Sequence, residues 1–385
     1  MKFDFVVIGA TGMQGRIVTM DLLASGYSVF LCGRDKSRVE HFLKKYPDKT
    51  AFEYVDLRNV KNTAKSIKKS GAKVMINCAE GDWDYEALLA AAEAGVHSLD
   101  LGSEIPITKK QLAMDKTLKK KNLIHITGCG SVPGIGNVML RYAYDKFDKI
   151  ESIDVGFAWD SNIKKFVVPF SMESVLEEFY IPADMIIHHR RVKLKPLDTV
   201  VRCYHKAIGK EKCFNVGHHP ETLTFYKYCK PKGIDNVRFF AGFPDHSYNV
   251  IKTLLDIGFW ADNPINFRGT KIWPDEFLTE MLKELKYPKG YTETENLWVD
   301  IIGKKNGKKK RILMECIVPP LKGWEWAGCN IDTGMPASIM AQMVYNKIIT
   351  KPGSYSPEFI VPVEPFFKEL RKRKMLVYEN GKVIN

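Results

Sequence analysis

Two carboxylates, Asp100 and Glu104, stand where an apolar run gives way to a loop, in Val96-His97-Ser98-Leu99-Asp100-Leu101-Gly102-Ser103-Glu104. A carboxylate at the carboxyl end of a strand can hold a substrate ammonium group, or serve as general base when an amine is oxidised. Asp100 is therefore the candidate catalytic residue. Asp100, Gly102 and Glu104 are candidate substrate contacts; a plain loop-capping role for Asp100 is the alternative. A second segment, Gly128-Cys129-Gly130-Ser131-Val132-Pro133-Gly134-Ile135-Gly136-Asn137, ends another strand and opens a helix. So glycine-rich a turn lets the backbone come close to a ligand, with Gly128 facing a cofactor and Pro133 and Gly134 a substrate, or it serves as a bare hinge. A third, His218-His219-Pro220-Glu221-Thr222, lies in a later loop, and His219 and Thr222 are further substrate candidates. His188-His189 reads as structural or surface. Neither histidine pair has the i, i+4 spacing of two metal ligands on one helix face, so no metal is expected. A Ser/His/Asp set is disfavoured, because the GxSxG turn is missing. Asn330-Ile331-Asp332-Thr333 is expected to line a cleft, with no role assigned.

The element that must position this chemistry is at the N-terminus. Gly9-Ala10-Thr11-Gly12-Met13-Gln14-Gly15 follows the apolar run Phe5–Ile8 and precedes an amphipathic stretch from Arg16 to Ser25. Strand, glycine turn and helix in that order form a phosphate site. Backbone N–H groups and the positive end of the helix dipole face the anion. Gly9, Thr11, Gly12, Met13 and Gln14 are the expected cofactor contacts. The spacing is GxxGxxG, one residue longer than the dinucleotide fingerprint.

The next apolar run, Ser28–Cys32, ends in Gly33-Arg34-Asp35, where such domains read the adenosine ribose. An acid there would bind the 2′-hydroxyl, whereas the fork of Arg34 suits a 2′-phosphate. Gly33 and Arg34 thus predict NADP(H) in preference to NAD(H). The alternatives are a solvated Arg34 and an Asp35 turned back to the ribose. Asp56 and Leu57 are placed to approach the adenine, and Asn77, Cys78 and Ala79 end a strand facing the ligand.

A chain of 385 residues is long enough for two cores, because single cores stop growing near ~250–300 residues. Hydrophobic content of 45% is that of a globular protein. No run approaches the ~20 apolar residues of a membrane span, and the N-terminus enters a strand directly, so no membrane association and no signal peptide are expected. Eight scattered cysteines without a CxxC pair or zinc spacing suggest reduced thiols and a cytoplasmic setting. The net charge of +13 comes mainly from lysine, densest at Lys304–Arg311. Asn306-Gly307 within that run is a type I′ hairpin signal between Leu297–Ile302 and Ile312–Val318, so its lysines read as edge protection. Nucleic-acid binding is not expected without a recognition motif. A basic surface could still draw an acidic substrate and an anionic cofactor toward a cleft.

Strand patterns near 4–8, 28–32, 52–55, 74–78, 97–101 and 123–127 alternate with helical ones. That series predicts an α/β fold with an N-terminal Rossmann domain, a doubly wound parallel sheet, over residues 1–136. Residues 137–330 read as an inserted α+β catalytic and dimerisation domain on a mainly antiparallel sheet. It has strands at Ser152–Ala158, Arg202–Cys203 and Val237–Gly242, and a helix that Ile272-Trp273-Pro274-Asp275-Glu276 starts and that runs to about Leu285. Residues 331–385 read as C-terminal helices, Ala337–Ile349 and Pro365–Lys374, returning to the first domain, with Lys351–Gly353 as the stop between them. A homodimer is expected.

The chain resembles the saccharopine dehydrogenase (saccharopine reductase) superfamily, and within it is similar to lysine 6-dehydrogenase, with carboxynorspermidine dehydrogenases as relatives of the same plan. The matching motifs are GATGMQG at 9–15, AGVHSLDLGSE at 94–104, GCGSVPGIGNVMLRYA at 128–143, PFSMESVLEEF at 169–179, PDEFL at 274–278 and TGMPASIMAQMVYNKIITKPGSYSPE at 333–358. The resemblance implies hydride transfer between a nicotinamide cofactor and the C–N carbon of an amino-acid or polyamine-precursor substrate. It also implies substrate roles for Asp100 and Glu104, and for Phe170, Ser171 and Thr222 in the second domain. Two positions depart from the pattern: Val132 precedes Pro133-Gly134 where many relatives carry Asp, and Arg34 replaces the acid usual at the ribose position of lysine 6-dehydrogenases. A cofactor-binding sensor or scaffold without turnover is the rival reading. A pocket plugged by Trp324, Trp326 or Phe170 would favour it, and an open polar pocket would favour an enzyme.

Overall fold

A computed structural model describes residues 2–102, 104–168, 171–217, 219–261 and 263–385. Short apolar runs become β1 (Phe5–Ile8), β2 (Val29–Gly33), β3 (Thr50–Tyr54), β4 (Val74–Asn77), β5 (His97–Asp100) and β6 (Ile124–Ile126). Every residue of β1, β2, β4 and β6 is buried, as strands covered by helices on both faces must be. The sheet is wholly parallel, in the order Gly353–Tyr355, β6, β5, β4, β1, β2, β3. Strand order reverses between β1 and β4, which opens a crevice at their carboxyl ends. The expected doubly wound α/β fold is present. Gly353–Tyr355, which begins at the last residue of the expected helix stop Lys351–Gly353, pairs with β6 and extends the sheet, a strand the sequence reading did not include.

Helix α1 (Met13–Ala24) starts three residues before the expected Arg16, because Gly12 is already its N-cap. Helix α2 (Ile135–Tyr144) leads out of the glycine-rich turn into the second sheet. That sheet has ten strands among the described residues, centred on β7 (Lys149–Ser161), β8 (Asn236–Gly242), β9 (Glu293–Lys305) and β10 (Lys308–Val318). Its pairings are antiparallel except for β8 alongside β7. Asn306 and Gly307 join β9 to β10 with φ of 51° and 74°, the two positive values a type I′ turn demands. Lys305 pairs with Lys308 across that turn. Helix α3 (Met172–Tyr180) adds Val175, Leu176 and Phe179 to the apolar core, and α4 (Glu221–Cys229) packs on β8 of this sheet.

The terminal segment binds both lobes. Helix α5 (Ile331–Tyr345) packs on α1, and its apolar residues are buried all round, as a helix enclosed by its neighbours requires. Arg373 closes a fork on Asp21 of α1, Nε and Nη2 each 2.7 Å from a carboxylate oxygen, and Ser338 Oγ donates to the same group at 2.6 Å. Beyond this the chain adds Leu376–Glu379 and Lys382–Val383 to the β10 edge of the second sheet, two strands that the expected helices did not include. One continuous apolar cluster includes Val7, Ile17, Val138, Val155, Val299 and Met340, so the two sheets share a core.

Candidate active site

The glycine turn closes on β4. A side chain at Gly9 would lie 2.5 Å from Ala79 N and 2.6 Å from the Cys78 carbonyl carbon, and Gly9 itself has φ of 71°. A side chain at Gly15 would strike the Gly9 carbonyl. Gly12 differs: its nearest neighbour would be the Gly9 oxygen at 3.4 Å, and no side chain caps the helix there. The first and third glycines therefore serve packing, and the second leaves open the approach to the α1 N-terminus. The Gly12 amide donates to the Gly9 carbonyl at 3.0 Å, so the amides of Met13 and Gln14 at the helix start are the ones that would face a dinucleotide pyrophosphate. The Gln14 side chain turns away and donates to Asn330 Oδ1 at 3.2 Å, tying the turn to the terminal segment.

At the adenosine end, a side chain at Gly33 would sit 2.7 Å from Thr11 Cγ2, so Thr11 is packed against the end of β2. Arg34 is exposed. Asp35 Oδ1 accepts from Ser37 N at 2.9 Å and Ser37 Oγ at 2.6 Å, so it caps its own turn. Asp56 is clamped by Arg58, whose hydrogen bonds hold its carboxyl at about 2, with Arg34 adding to the pull. Leu57 is buried in the core rather than presented to an adenine. Asn77 is also buried, donating to Asp84 Oδ1 at 2.7 Å and accepting from Ala79 N at 3.3 Å. It shapes the β4 terminus, as Cys78 and Ala79 do through their contact with Gly9.

Beyond the ends of β4, β5 and β6 lies a cleft of about 410 Å³. Glu80, Asp82, Glu104, Glu177, Glu178 and His219 line it, with Trp83, Gly102, Pro133 and Ser174 between them. No lysine or arginine is found among the described residues of this lining. Trp324 and Trp326 are not in it; they stack on each other at 6.0 Å, and Arg16 sits over Trp326.

Asp100 is not in the lining either. It is 1% exposed, and its oxygens accept from Gly102 N at 3.0 Å, Gly128 N at 2.8 Å and Gln111 Nε2 at 2.6 Å. His125 Nε2 lies 3.3 Å away, and the other ring nitrogen meets Ser98 Oγ at 2.9 Å. The expectation that Asp100 meets substrate gives way to a positioning role: its lone pairs already hold the two loops that carry Gly102 and Gly128. Both glycines have positive φ and press on Pro133, 2.7 and 2.8 Å from where their side chains would start. Gly134 N donates to Asn137 Oδ1 at 2.8 Å and sets the entry to α2.

At the inner end of the cleft, His219 lies between two carboxyl groups. Its Nε2 is 3.6 Å from Glu178 Oε1 and its Nδ1 is 3.8 Å from Glu221 Oε2. Its ring stacks flat on Phe239 of β8, with centroids 3.3 Å apart. Burial pushes His219 down to about 4, against the pull of Glu221. Burial likewise pushes Glu221 up to about 7 and Glu178 well above the usual carboxylate range. Burial thus favours the neutral imidazole of His219 and the protonated form of Glu178. Glu178 Oε2 and both ring nitrogens are buried without a hydrogen-bond partner in the protein, which leaves their capacity for a ligand or water.

Of the expected substrate residues, Gly102, Glu104, Pro133 and His219 line the cleft. Ser171 accepts from Ser174 N at 3.5 Å and caps α3. Thr222 Oγ1 donates to the His219 carbonyl at 3.2 Å, and is 2% exposed. Both are turn-formers rather than lining. Phe170 lies outside the described residues, as do Ser103 and His218. Sequence reasoning missed Glu80, Asp82, Glu177 and Glu178. The first two continue the β4 terminus directly, and the last pair stands in the PFSMESVLEEF motif, so position was a usable signal for both.

A doubly wound sheet with a glycine turn at its switch point, opening on a polar cleft roofed by a second lobe, defines a nicotinamide-dinucleotide oxidoreductase. Residues 5–126 match the saccharopine dehydrogenase NADP binding domain, and residues 130–376 match the saccharopine dehydrogenase C-terminal domain. The chain belongs to the saccharopine dehydrogenase family, as the motifs led us to expect. It is 24% identical to carboxynorspermidine synthase of Vibrio cholerae, over 94% of this chain and 91% of that protein. It is 25% identical to carboxyaminopropylagmatine dehydrogenase of Synechocystis, over 82% of this chain and 81% of that protein. Apo saccharopine dehydrogenase (L-Glu forming) from Saccharomyces cerevisiae shares the fold with a TM-score of 0.76 and 13% identity, each chain covered over 100% of its length. No described helix is long and apolar enough to cross a membrane.

Proposed function

We propose that the protein transfers a hydride to or from the C–N carbon of a carboxylated polyamine precursor, with NADP(H) preferred over NAD(H). The observation that carries this reading is the charge of the cleft. A chain of net charge +13 lines its cleft with five carboxyl groups and no lysine or arginine among the described residues. Such a lining suits a substrate with several ammonium groups better than lysine or saccharopine, which carry more carboxylate per amine. The names of the two curated relatives point the same way, and away from lysine 6-dehydrogenase.

Bound NADPH supplies the hydride, and the protein supplies the proton. In the reductive direction an imine carbon gains the hydride, the C=N π pair moves to nitrogen, and nitrogen takes the proton held by Glu178. The products are the amine, NADP⁺ and the Glu178 carboxylate. His219 stays neutral beside Glu178, 3.6 Å from its carboxyl, while Glu80, Asp82, Glu104 and Glu177 hold the distal ammonium groups. Asp100 keeps Gly102 and Gly128 in register beneath the reacting carbon. Arg34 takes the 2′-phosphate, since Asp35 is committed to Ser37.

Assembly as a homodimer belongs to this reading. The hairpin Ile265–Phe267 and Thr270–Ile272 pairs with no other strand among the described residues, and Ile265, Phe267, Phe277 and Met281 are exposed. An isolated hairpin is marginal in water, so a partner surface over it is expected.

A panel of carboxynorspermidine, carboxyaminopropylagmatine, saccharopine and lysine, each with NADP⁺ and NAD⁺, tests the assignment by absorbance of the reduced cofactor. Turnover of a carboxylated polyamine with NADP⁺ is expected. Turnover of lysine or saccharopine alone would refute the polyamine reading.

A further inference from the structure

Cys203 and His205 stand on one edge strand of the second sheet (Val200–His205), and Cys213 stands on its hairpin partner (Gly209–Asn215). The linear sequence shows no zinc spacing, because the ligand types are split between two strands. Register brings them together. Cys203 lies opposite Glu211, so alternation places Cys203, His205 and Cys213 on one face. Their Sγ, imidazole nitrogen and Sγ atoms all lie within 4.8 Å of one another, and His205 Nε2 is 4.0 Å from Cys213 Sγ.

We propose that Cys203, His205 and Cys213 form a binding site for a thiolate-preferring divalent cation, zinc above all, remote from the acidic cleft. Zinc bonds of about 2.3 Å to sulfur and about 2.0 Å to nitrogen put tetrahedral ligand atoms some ~3.6–3.8 Å apart, so closure by at most about 1.2 Å forms the site. Cys213 and His205 are buried, and Cys203 is half-buried, which leaves a water-accessible fourth position. The surroundings suit the histidine as a ligand. Its Nδ1 meets the Asn296 side chain at 2.9 Å and lies 4.0 Å from Glu315 Oε1, an outer partner of the kind that orients ligating imidazoles. Asn296 Nδ2 also donates to Glu315 Oε1 at 3.2 Å, so amide and carboxylate form one buried group behind the ring. A cation here would pin the outer hairpin to β9 and β10, which carry Asn296 and Glu315.

The test uses the full chain, reduced, stripped with chelator, and reloaded with Zn²⁺ or Co²⁺ before desalting. About one retained equivalent of zinc is expected, together with a thiolate-to-cobalt charge-transfer band. Both should vanish in Cys203→Ser, whose half-exposed position tolerates the change, and in Cys213→Ser, and both should survive in Cys229→Ser. Retention below about a tenth of an equivalent, or a cobalt band that persists in Cys203→Ser, overturns the site. So does a Cys203–Cys213 disulfide in the isolated protein that, once reduced, takes up no metal. NADPH binding by each variant reports whether it is folded, and does not depend on the cation.

Discussion

The Gly128 amide donates to Asp100 Oδ1 at 2.8 Å, joining the end of β6 to the end of β5. The same oxygen accepts from Gly102 N at 3.0 Å. One buried carboxylate thus sets the spacing of the two loops that floor the cleft. Asp100→Asn replaces an acceptor by an amide that can satisfy only part of this set, at a cost of about 1–3 kcal/mol. Thermal unfolding should show the loss. In kinetics, kcat should fall with an unchanged pH profile; a profile that loses a limb would return Asp100 to the proton transfer itself.

The three glycines of the turn should separate folding from binding. Gly9→Ala places a methyl 2.5 Å from Ala79 N at a positive φ, and should destabilise the fold. Gly12→Ala meets nothing closer than 3.4 Å, and should melt with the wild type. Its methyl would nevertheless fill the approach to the pyrophosphate, so NADPH binding measured by fluorescence should be lost. Normal NADPH binding by Gly12→Ala would argue against this cradle.

Arg34→Ser should discriminate between the two nicotinamide cofactors. Removing a charge-assisted pair to a phosphate costs about 1.5–3 kcal/mol, roughly a ten- to hundredfold rise in the NADPH dissociation constant. NADH binding should change little. Equal losses for both cofactors would make Arg34 a general surface cation.

Glu178→Gln keeps the shape of the cleft and removes its proton. Imine reduction should slow by about 10²–10⁴ in kcat. In the wild type, the reductive rate should fall as pH rises through the Glu178 value, which burial has moved well above the usual carboxylate range. The Gln variant should lack that fall.

Glu221 makes a prediction about stability. Its carboxyl is raised from 4.5 to about 7 by burial, so the folded state holds a proton that the unfolded chain has released. The contribution is fully present below pH 4.5 and is lost as pH rises through about 7. His219, lowered from 6.5 to about 4, acts oppositely, its contribution lost as pH falls through about 4. Glu221→Gln should therefore match the wild type near pH 5 and melt higher at pH 8, in calorimetry across that range. A variant that melts lower at both would show that Glu221 is held as a carboxylate by partners of its own.

Much of the first domain was legible because its signals are local. A buried parallel strand is an apolar run, a glycine turn has a fixed offset from it, and Asn-Gly marks a type I′ hairpin wherever it lies. The edge elements were not. Gly209–Asn215 alternates lysine, glutamate and cysteine, and Gly353–Tyr355 is a three-residue strand that pairs with a β6 more than two hundred residues away. Neither carries a pattern that separates it from a loop. The candidate site was legible by position and misread by contact. Asp100, Ser171 and Thr222 were rightly sought near the ends of elements, yet their polar atoms meet the chain's own backbone, which competes with a substrate for the same groups.

The sequence by itself determined the nucleotide-binding turn, the parallel sheet and the family, because those rest on short-range spacing of glycines and apolar residues. Only the tertiary structure decided which acids face the cleft. It turned Asp100 inward on three donors, set His219 between Glu178 and Glu221 from two separate helices, and gathered Cys203, His205 and Cys213 on one face of a hairpin. Each of these depends on where non-local elements bring charge and burial together, and burial, not residue type, sets what a carboxyl, an imidazole or a thiol can do.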